Sequence, residues 1–243
     1  MHEGQTGDRD PGGSVPVRLL LVEDHAALGE ALLFAFSFEE GIETVGVAPS
    51  IERALEMVAT ERPDVVLMDV RLPDGSGLDA AAKVAALRPG TAVLIMTANA
   101  DHLVALQAAE SGAAGFLLKD VRIAKIVNGV WQVMAGELAI DPGVLQALLT
   151  QAAIDGSGAF SPGDLTPGLS APEHDVVVLV AEGLDRGAIA DRLGLDEHEV
   201  ARVTAAVRDR LGARSNLEAV VRAARAGLLG GPDQGSRARI SNR

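Results

Sequence analysis

The strongest constraint on the fold is a set of short, fully apolar runs, each closed by a polar group. Leu19-Leu20-Leu21-Val22 leads into Glu23-Asp24, and Val65-Val66-Leu67-Met68 leads into Asp69. A strand with one wet face alternates apolar and polar residues. One that is apolar at every position is buried on both faces, as in a parallel sheet covered by helices. Strands are expected at Val17–Val22, Glu43–Ala48, Asp64–Asp69, Ala92–Thr97 and Ala114–Leu118. Between and after them the apolar period becomes helical, at roughly Ala26–Phe38, Ile51–Thr60, Leu78–Leu87, Asp101–Ser111 and Val121–Ala135. Five βα units in succession predict an α/β doubly wound, five-stranded parallel sheet.

That sheet accounts for residues 16–136 of 243, so a second module follows. Asp141-Pro142 suits an N-cap with proline at the first helical position, opening a short helix to about Ala152. Asp155 to Gly168 is rich in Gly, Ser and Pro, so 137–168 reads as a linker carrying that helix. Residues 169–229 are helical throughout, and residues 1–15 and 230–243 read as disordered tails. The chain has no cysteine, which excludes disulfides, thiol catalysis and cysteine zinc sites. With no long uncharged apolar run and no signal-peptide core at the start, a soluble cytoplasmic protein without a membrane partner is expected. The net charge of −13 is uneven: residues 1–160 hold 22 acidic and 10 basic side chains, residues 161–243 hold 12 and 11. Strong non-specific DNA binding, which depends on phosphate neutralisation, is therefore excluded, and any DNA contact must be local.

In open α/β sheets, functional groups collect beyond the carboxyl ends of the strands. Those ends carry Glu23-Asp24, Asp69, Thr97 and Lys119. A single polar residue there is ordinary, because strands leave the core at that point. Four converging groups are harder to explain structurally. Three adjoining carboxylates repel one another and call for a cation, and an all-oxygen set favours Mg²⁺. A carboxylate can attack phosphorus to form an aspartyl phosphate, with Lys119 stabilising the transferring oxygens and Thr97 offering a hydroxyl to the product.

The segments Glu23-Asp24, Met68-Asp69-Val70-Arg71-Leu72-Pro73-Asp74-Gly75-Ser76-Gly77, Thr97-Ala98 and Gly112-Ala113-Ala114-Gly115-Phe116-Leu117-Leu118-Lys119-Asp120 together resemble the receiver domains of two-component response regulators. The resemblance implies a CheY-like sheet of order 2-1-3-4-5 and a sensor histidine kinase as partner. It makes Asp69 the phosphoacceptor and assigns Mg²⁺ to Glu23, Asp24, Asp69 and the backbone carbonyl of Arg71. Thr97 becomes the switch hydroxyl, Phe116 the switch aromatic and Lys119 the phosphate-binding lysine; Phe116 also reads simply as core filling. Asp120 follows the lysine where many receivers have proline, as is frequent in the NarL/FixJ group. Haloacid-dehalogenase-like phosphatases, which also form an aspartyl phosphate, need an Asp two residues beyond the nucleophile, where this chain has Arg71. A signalling protein rather than an enzyme is expected.

In residues 169–229, Glu173–Ala181, Arg186–Leu193, Glu197–Leu211 and Asn216–Ala226 read as four helices, with Gly183, Gly194 and Gly212 as terminators. Val200, Val203, Val207 and Leu211 form the core face of the third; His198, Ala201, Arg202, Ala205, Arg208 and Asp209 lie opposite. Val180-Ala181-Glu182-Gly183-Leu184, Ile189-Ala190-Asp191-Arg192-Leu193-Gly194-Leu195 and Arg210-Leu211-Gly212-Ala213-Arg214-Ser215 resemble the LuxR-type helix-turn-helix. In that family the third helix enters the major groove and the fourth pairs two subunits. The resemblance thus implies double-stranded DNA as a partner, contacted by His198, Ala201, Arg202, Ala205 and Arg210, and a homodimer in the active state. Family members usually place a lysine or another donor near Ala201 and Ala205, and an alanine there reaches only a thymine methyl or a sugar. Glu199 adds a negative charge, although three residues after Asp196 it also fits a capping box. Residues 169–229 hold 10 acidic and 8 basic side chains and no lysine, leaving Arg186, Arg192, Arg202, Arg208, Arg210 and Arg214 for phosphates. These departures define the alternative, a receiver-controlled protein-interaction module.

Overall fold

The computed structural model describes residues 15–99, 101–156 and 168–229. The expected tails, apart from Val15, and residues 157–167 of the expected linker lie outside the described residues. The first half runs β1 (Val17–Val22), α1 (Ala26–Phe36), β2 (Ile42–Ala48), α2 (Ile51–Glu61), β3 (Val65–Asp69), β4 (Arg71–Leu72), β5 (Gly75–Ser76) and α3 (Gly77–Leu87). It continues with β6 (Ala92–Thr97), α4 (His102–Glu110), β7 (Gly115–Leu118), α5 (Ile123–Ala135) and β8 (Ala139–Ile140). Then come α6 (Pro142–Gly156), α7 (Ala171–Ala181), α8 (Arg186–Leu193), α9 (Glu197–Arg210) and α10 (Asn216–Arg225).

The main sheet has the order β2-β1-β3-β6-β7-β8, and every pairing in it is parallel. The five expected strands are present in the expected order, with ends shifted by no more than a residue. The strand count is corrected from five to six. Ala139–Ile140 pairs with Gly115–Phe116, and a two-residue strand is too short to leave a periodic signature. Arg71–Leu72 and Gly75–Ser76 form a separate antiparallel hairpin directly after β3.

Strand alternation sorts the core into two layers. Leu20, Val22, Val66, Met68, Ile95 and Phe116 face one side, with buried residues of α2, α3 and α4. Leu19, Leu21, Val65, Leu67, Leu94, Met96 and Leu117 face the other, with α1 and α5. Burying each such side chain contributes about 1.5–3 kcal/mol, which is why the fully buried stretches Leu19–Val22 and Val65–Met68 carry no polar residue. The first layer continues into α6 and the helices beyond, so both halves share one apolar cluster.

Side-chain caps set many of the helix starts: Ser50, Ser76, Asp101, Asp185, Asp196 and Ser215 each accept a hydrogen bond from a first-turn N–H. The Asp196–Glu199 capping box is present. The carboxylate of Asp141 accepts from Gly143 N at 2.9 Å at the start of α6, which runs four residues beyond the expected Ala152. Its apolar side, Leu145, Leu148, Leu149 and Ala152, is buried, and α6 packs on α4 and α10. Among the described residues no helix is long and apolar enough to cross a membrane.

Where α3 begins, Gly77 lies against the end of β3. A Cβ on Gly77 would sit 1.9 Å from the Asp69 carbonyl oxygen and 2.9 Å from its carbon. Gly77→Ala must therefore displace the strand end that carries Asp69. The variant is expected to lose about 1–3 kcal/mol of stability, as overpacked cores do, with a correspondingly lower unfolding midpoint. Native-like unfolding of that variant would contradict the close approach.

Candidate functional site

The order of the strands reverses at β1, so the carboxyl ends of β1 and β3 bound the crevice in which such sheets bind ligands. Glu23, Asp24 and Asp69 meet there, each with an oxygen within 4.8 Å of the others'. Glu23 and Asp69 are buried, whereas Asp24 is exposed. Lys119, at the end of β7, bridges the buried pair: its Nζ lies 2.7 Å from Glu23 Oε2 and 2.6 Å from Asp69 Oδ2. Burial works against charge on this lysine, but the two carboxylates outweigh it and hold its pKa above the ordinary 10.5. Its folded value being the higher, the ammonium's stabilising contribution is present at neutral pH and is lost only as pH rises past 10.5 through that raised value.

The pocket fits a hard cation by its own geometry. Glu23 Oε1 accepts from His25 N at 3.2 Å, but Glu23 Oε2 is buried with no directed hydrogen bond and only the ionic contact to Lys119. An all-oxygen set with one such atom and one exposed carboxylate suits Mg²⁺. Arg71 opens the β4–β5 hairpin beside the pocket. That hairpin is tied down by Asp74, whose two carboxylate oxygens accept from Ile51 N and Glu52 N at 2.9 and 3.0 Å. These bonds at the start of α2 hold the Asp74 pKa below its ordinary 3.8. Asp74 was not singled out in the sequence; its place in a Pro-Asp-Gly turn was the available signal, but the partner lies 23 residues away.

Thr97 is buried at the end of β6, its Oγ1 accepting from Asn99 N at 3.3 Å and its carbonyl from Lys119 N at 2.7 Å. The neighbouring strand thereby fixes Thr97 and Lys119 side by side. Phe116 is fully buried in the layer that faces α4, in register with Ile95 and Ile140.

The helical half places the second set of predicted residues. Val200, Val203, Val207 and Leu211 are buried. His198 and Arg202 are exposed, and Arg202 has no ion-pair partner among the described residues. Ala201, Ala205 and Arg208 are half-buried and line a cleft of about 110 Å³ together with Gly136, Glu137 and Leu138. Glu137 Oε1 accepts from Arg186 N, at the start of α8, at 3.2 Å. Arg210 is drawn away from that face: its Nε lies 3.2 Å from Glu173 and its Nη1 donates to Gly168 O. Hydrogen bonds from the Ser170 N–H and hydroxyl, joined by Arg210, hold the Glu173 pKa below its ordinary 4.5. Arg214 pairs with Glu218 at 3.1 Å, and Arg192 lies 3.9 Å from Glu182.

This sheet, pocket and helical continuation define a CheY-like receiver followed by a helical output region. Comparison with known proteins agrees. The response regulator receiver domain matches residues 19–130. A DNA-binding transcriptional activator, DevR/DosR of Mycobacterium tuberculosis (strain ATCC 25618 / H37Rv), is 31% identical over 205 residues, spanning 84% of this chain and 93% of the relative. A probable transcriptional regulatory protein, NarL of the same strain, is 32% identical over 213 residues, spanning 88% and 96%. The crystal structure of a LuxR-family two-component response regulator from Aurantimonas sp. SI85-9A1 superposes with a TM-score of 0.52 at 26% identity, covering 56% of this chain and 97% of that one. The chain belongs to the response regulators, in their NarL/LuxR-type group.

Removing the cation from the pocket should be costly. Lys119→Ala leaves two buried carboxylates facing each other, and breaking one side of a buried ion pair costs about 3 kcal/mol. Chemical denaturation at neutral pH should show that loss, with millimolar MgCl₂ recovering part of it in the variant. A variant as stable as the native protein in EDTA would contradict the electrostatic reading of the pocket.

Proposed function

We propose that the protein is a phosphorylation-controlled, DNA-binding transcription regulator of a two-component system. The observation that carries this reading is the pairing of Asp69 with Lys119 at 2.6 Å inside the carboxylate cluster. An Asp69 carboxylate oxygen attacks the phosphorus of a phosphohistidine on a sensor kinase; the new O–P bond forms as the P–N bond breaks, and the imidazole leaves with its electron pair. Lys119 meets the charge on the transferred oxygens, and the Thr97 hydroxyl donates to one of them in the product. Glu23, Asp24, Asp69 and the Arg71 carbonyl would hold Mg²⁺, which supplies charge neutralisation at the phosphoryl group. The receiver spans residues 16–136, residues 137–168 connect it to the output, and residues 169–229 form the helix-turn-helix domain. The protein works in the cytoplasm and, once phosphorylated, as a homodimer. On DNA, α9 lies in the major groove with His198, Ala201, Arg202 and Ala205 toward the bases; Arg210 joins them once released from Glu173.

The relatives match over nearly their whole length, and one carries DNA binding in its name, which favours this reading over the protein-interaction alternative. Selection of fragments from the native genome, with and without a small phosphoryl donor, tests it. Enrichment of near-palindromic sites that tightens on phosphorylation is expected, and finding no enriched fragment at moderate salt in either state would overturn it. Arg202→Ala should weaken binding to an enriched site and, if the contact is to a phosphate, lower the salt slope by about one. An unchanged affinity and slope would remove Arg202 from the interface.

A further inference from the structure

The helical half meets the receiver at the amino-terminal edge of the sheet, where Ser215 Oγ donates to Ala113 O at 2.7 Å and Asn216 Nδ2 donates to Gly136 O. Two cavities open beside these contacts. The cleft of about 110 Å³ around Ala201 and Ala205 and a second of about 410 Å³ share Gly136, Glu137, Arg208 and Asn216, so they adjoin along one wall. Their remaining linings differ. Arg186 lies in the smaller, whereas Ala85, Ala92, Ala114 and Val133 of the receiver give the larger an apolar floor of small side chains.

The polar groups of this wall are not spent on one another. Arg186 and Arg208 are both half-buried, and among the described residues neither guanidinium has an ion pair or a hydrogen bond. A guanidinium that gives up hydration is ordinarily paired. Arg186 reaches the shared wall: a Cβ on Gly136 would lie 3.5 Å from its Nη2 and 3.8 Å from Asn216 Nδ2. Arg214, in the larger cavity, is already paired with Glu218 at 3.1 Å. Glu137 is the one carboxylate among the described lining residues, so the smaller cleft holds two unpaired cations against one anion. Asn216 is nine-tenths buried, with its Nδ2 engaged and its Oδ1 lacking a hydrogen-bond partner among the described residues.

We propose that the adjoining cavities form a binding site for a nucleoside monophosphate, a small-molecule input separate from Asp69. The inference does not depend on the DNA-binding reading. Each part of such a ligand has a counterpart in the wall. Arg186 and Arg208 supply planar donor forks for a phosphate dianion. Glu137 is an acceptor for ribose hydroxyls, the role an acidic residue takes in dinucleotide sites. Asn216 Oδ1 is an acceptor for a base N–H, and the small side chains of the floor leave room for a flat ring. The larger cavity falls within the range of about 300–1,000 Å³ common to small-molecule sites. An inorganic anion answers the two arginines but leaves the floor, Glu137 and Asn216 unused.

The test is calorimetric titration of the full-length chain with AMP, GMP, CMP and UMP in EDTA, which keeps Mg²⁺ out of the Asp69 pocket. At least one monophosphate should bind saturably with a Kd below about 1 mM. Its nucleoside, ribose phosphate and inorganic phosphate should each bind at least about tenfold more weakly. Arg186→Ala and Arg208→Ala should each weaken the monophosphate by about tenfold or more, with native unfolding midpoints because neither guanidinium has a partner to lose. Arg208→Lys, which keeps the charge without the fork, should fall between native and Arg208→Ala. Saturable binding by none of the four, inorganic phosphate binding as tightly as the monophosphates, or an affinity that ignores both arginine substitutions overturns the site. Phosphoryl uptake at Asp69 and DNA selection are read separately, so failure of the ligand site and failure of the regulator reading are told apart.

Discussion

Lys119 joins two buried carboxylates from different strands, and the arrangement of the receiver depends on that pairing. Glu23 and Asp69 sit at the ends of strands that are apolar along nearly their whole length, so their charges enter a setting that would reject them alone. The parallel sheet brings the strand ends together because β1 lies between β2 and β3. The backbone bond from Lys119 N to Thr97 O then sets the cation beside the hydroxyl. Gly77 and Asp74 serve the same end from outside the pocket: one lets α3 approach the β3 terminus, and the other ties the following hairpin to α2.

The output helices dock at the opposite edge of the sheet from this pocket, so communication between them has to cross the receiver. Helix α4 crosses it, and the apolar layer it belongs to runs without a break into α6, α7, α9 and α10. Such a packed layer has few intermediate arrangements, which favours two states over gradual deformation. Among the described residues three of the six arginines available for phosphates are ion-paired within the helical half, Arg192 with Glu182, Arg210 with Glu173 and Arg214 with Glu218, whereas Arg202 has no such partner. The acidic character of the chain weakens non-specific attraction to DNA.

The sheet was legible in the sequence because each inner strand is a run of side chains with no acceptable place but the interior. The pocket was legible because polar groups interrupt those runs at corresponding ends. The short strand Ala139–Ile140 and the hairpin after Asp69 were not, since two residues carry no period. Asp74, Glu137, Ser215 and Asn216 escaped notice for another reason. Their partners lie 23 to 102 residues away, so they look like ordinary turn and cap residues until the chain is folded. Arg210 shows the converse: the resemblance to the helix-turn-helix assigned it to DNA, while the capping-box carboxylate of α7, Glu173, pulls its guanidinium aside.

The central claim is that the pocket makes Asp69 a phosphoacceptor, and intact-mass measurement with peptide mapping tests it most directly. Incubated with a small-molecule phosphoryl donor and Mg²⁺, the native chain should gain one phosphoryl group, mapped to Asp69, with uptake abolished by EDTA and by Asp69→Asn. Uptake that persists in Asp69→Asn, or a native chain that takes up none from either a small donor or a phosphorylated kinase, would contradict it.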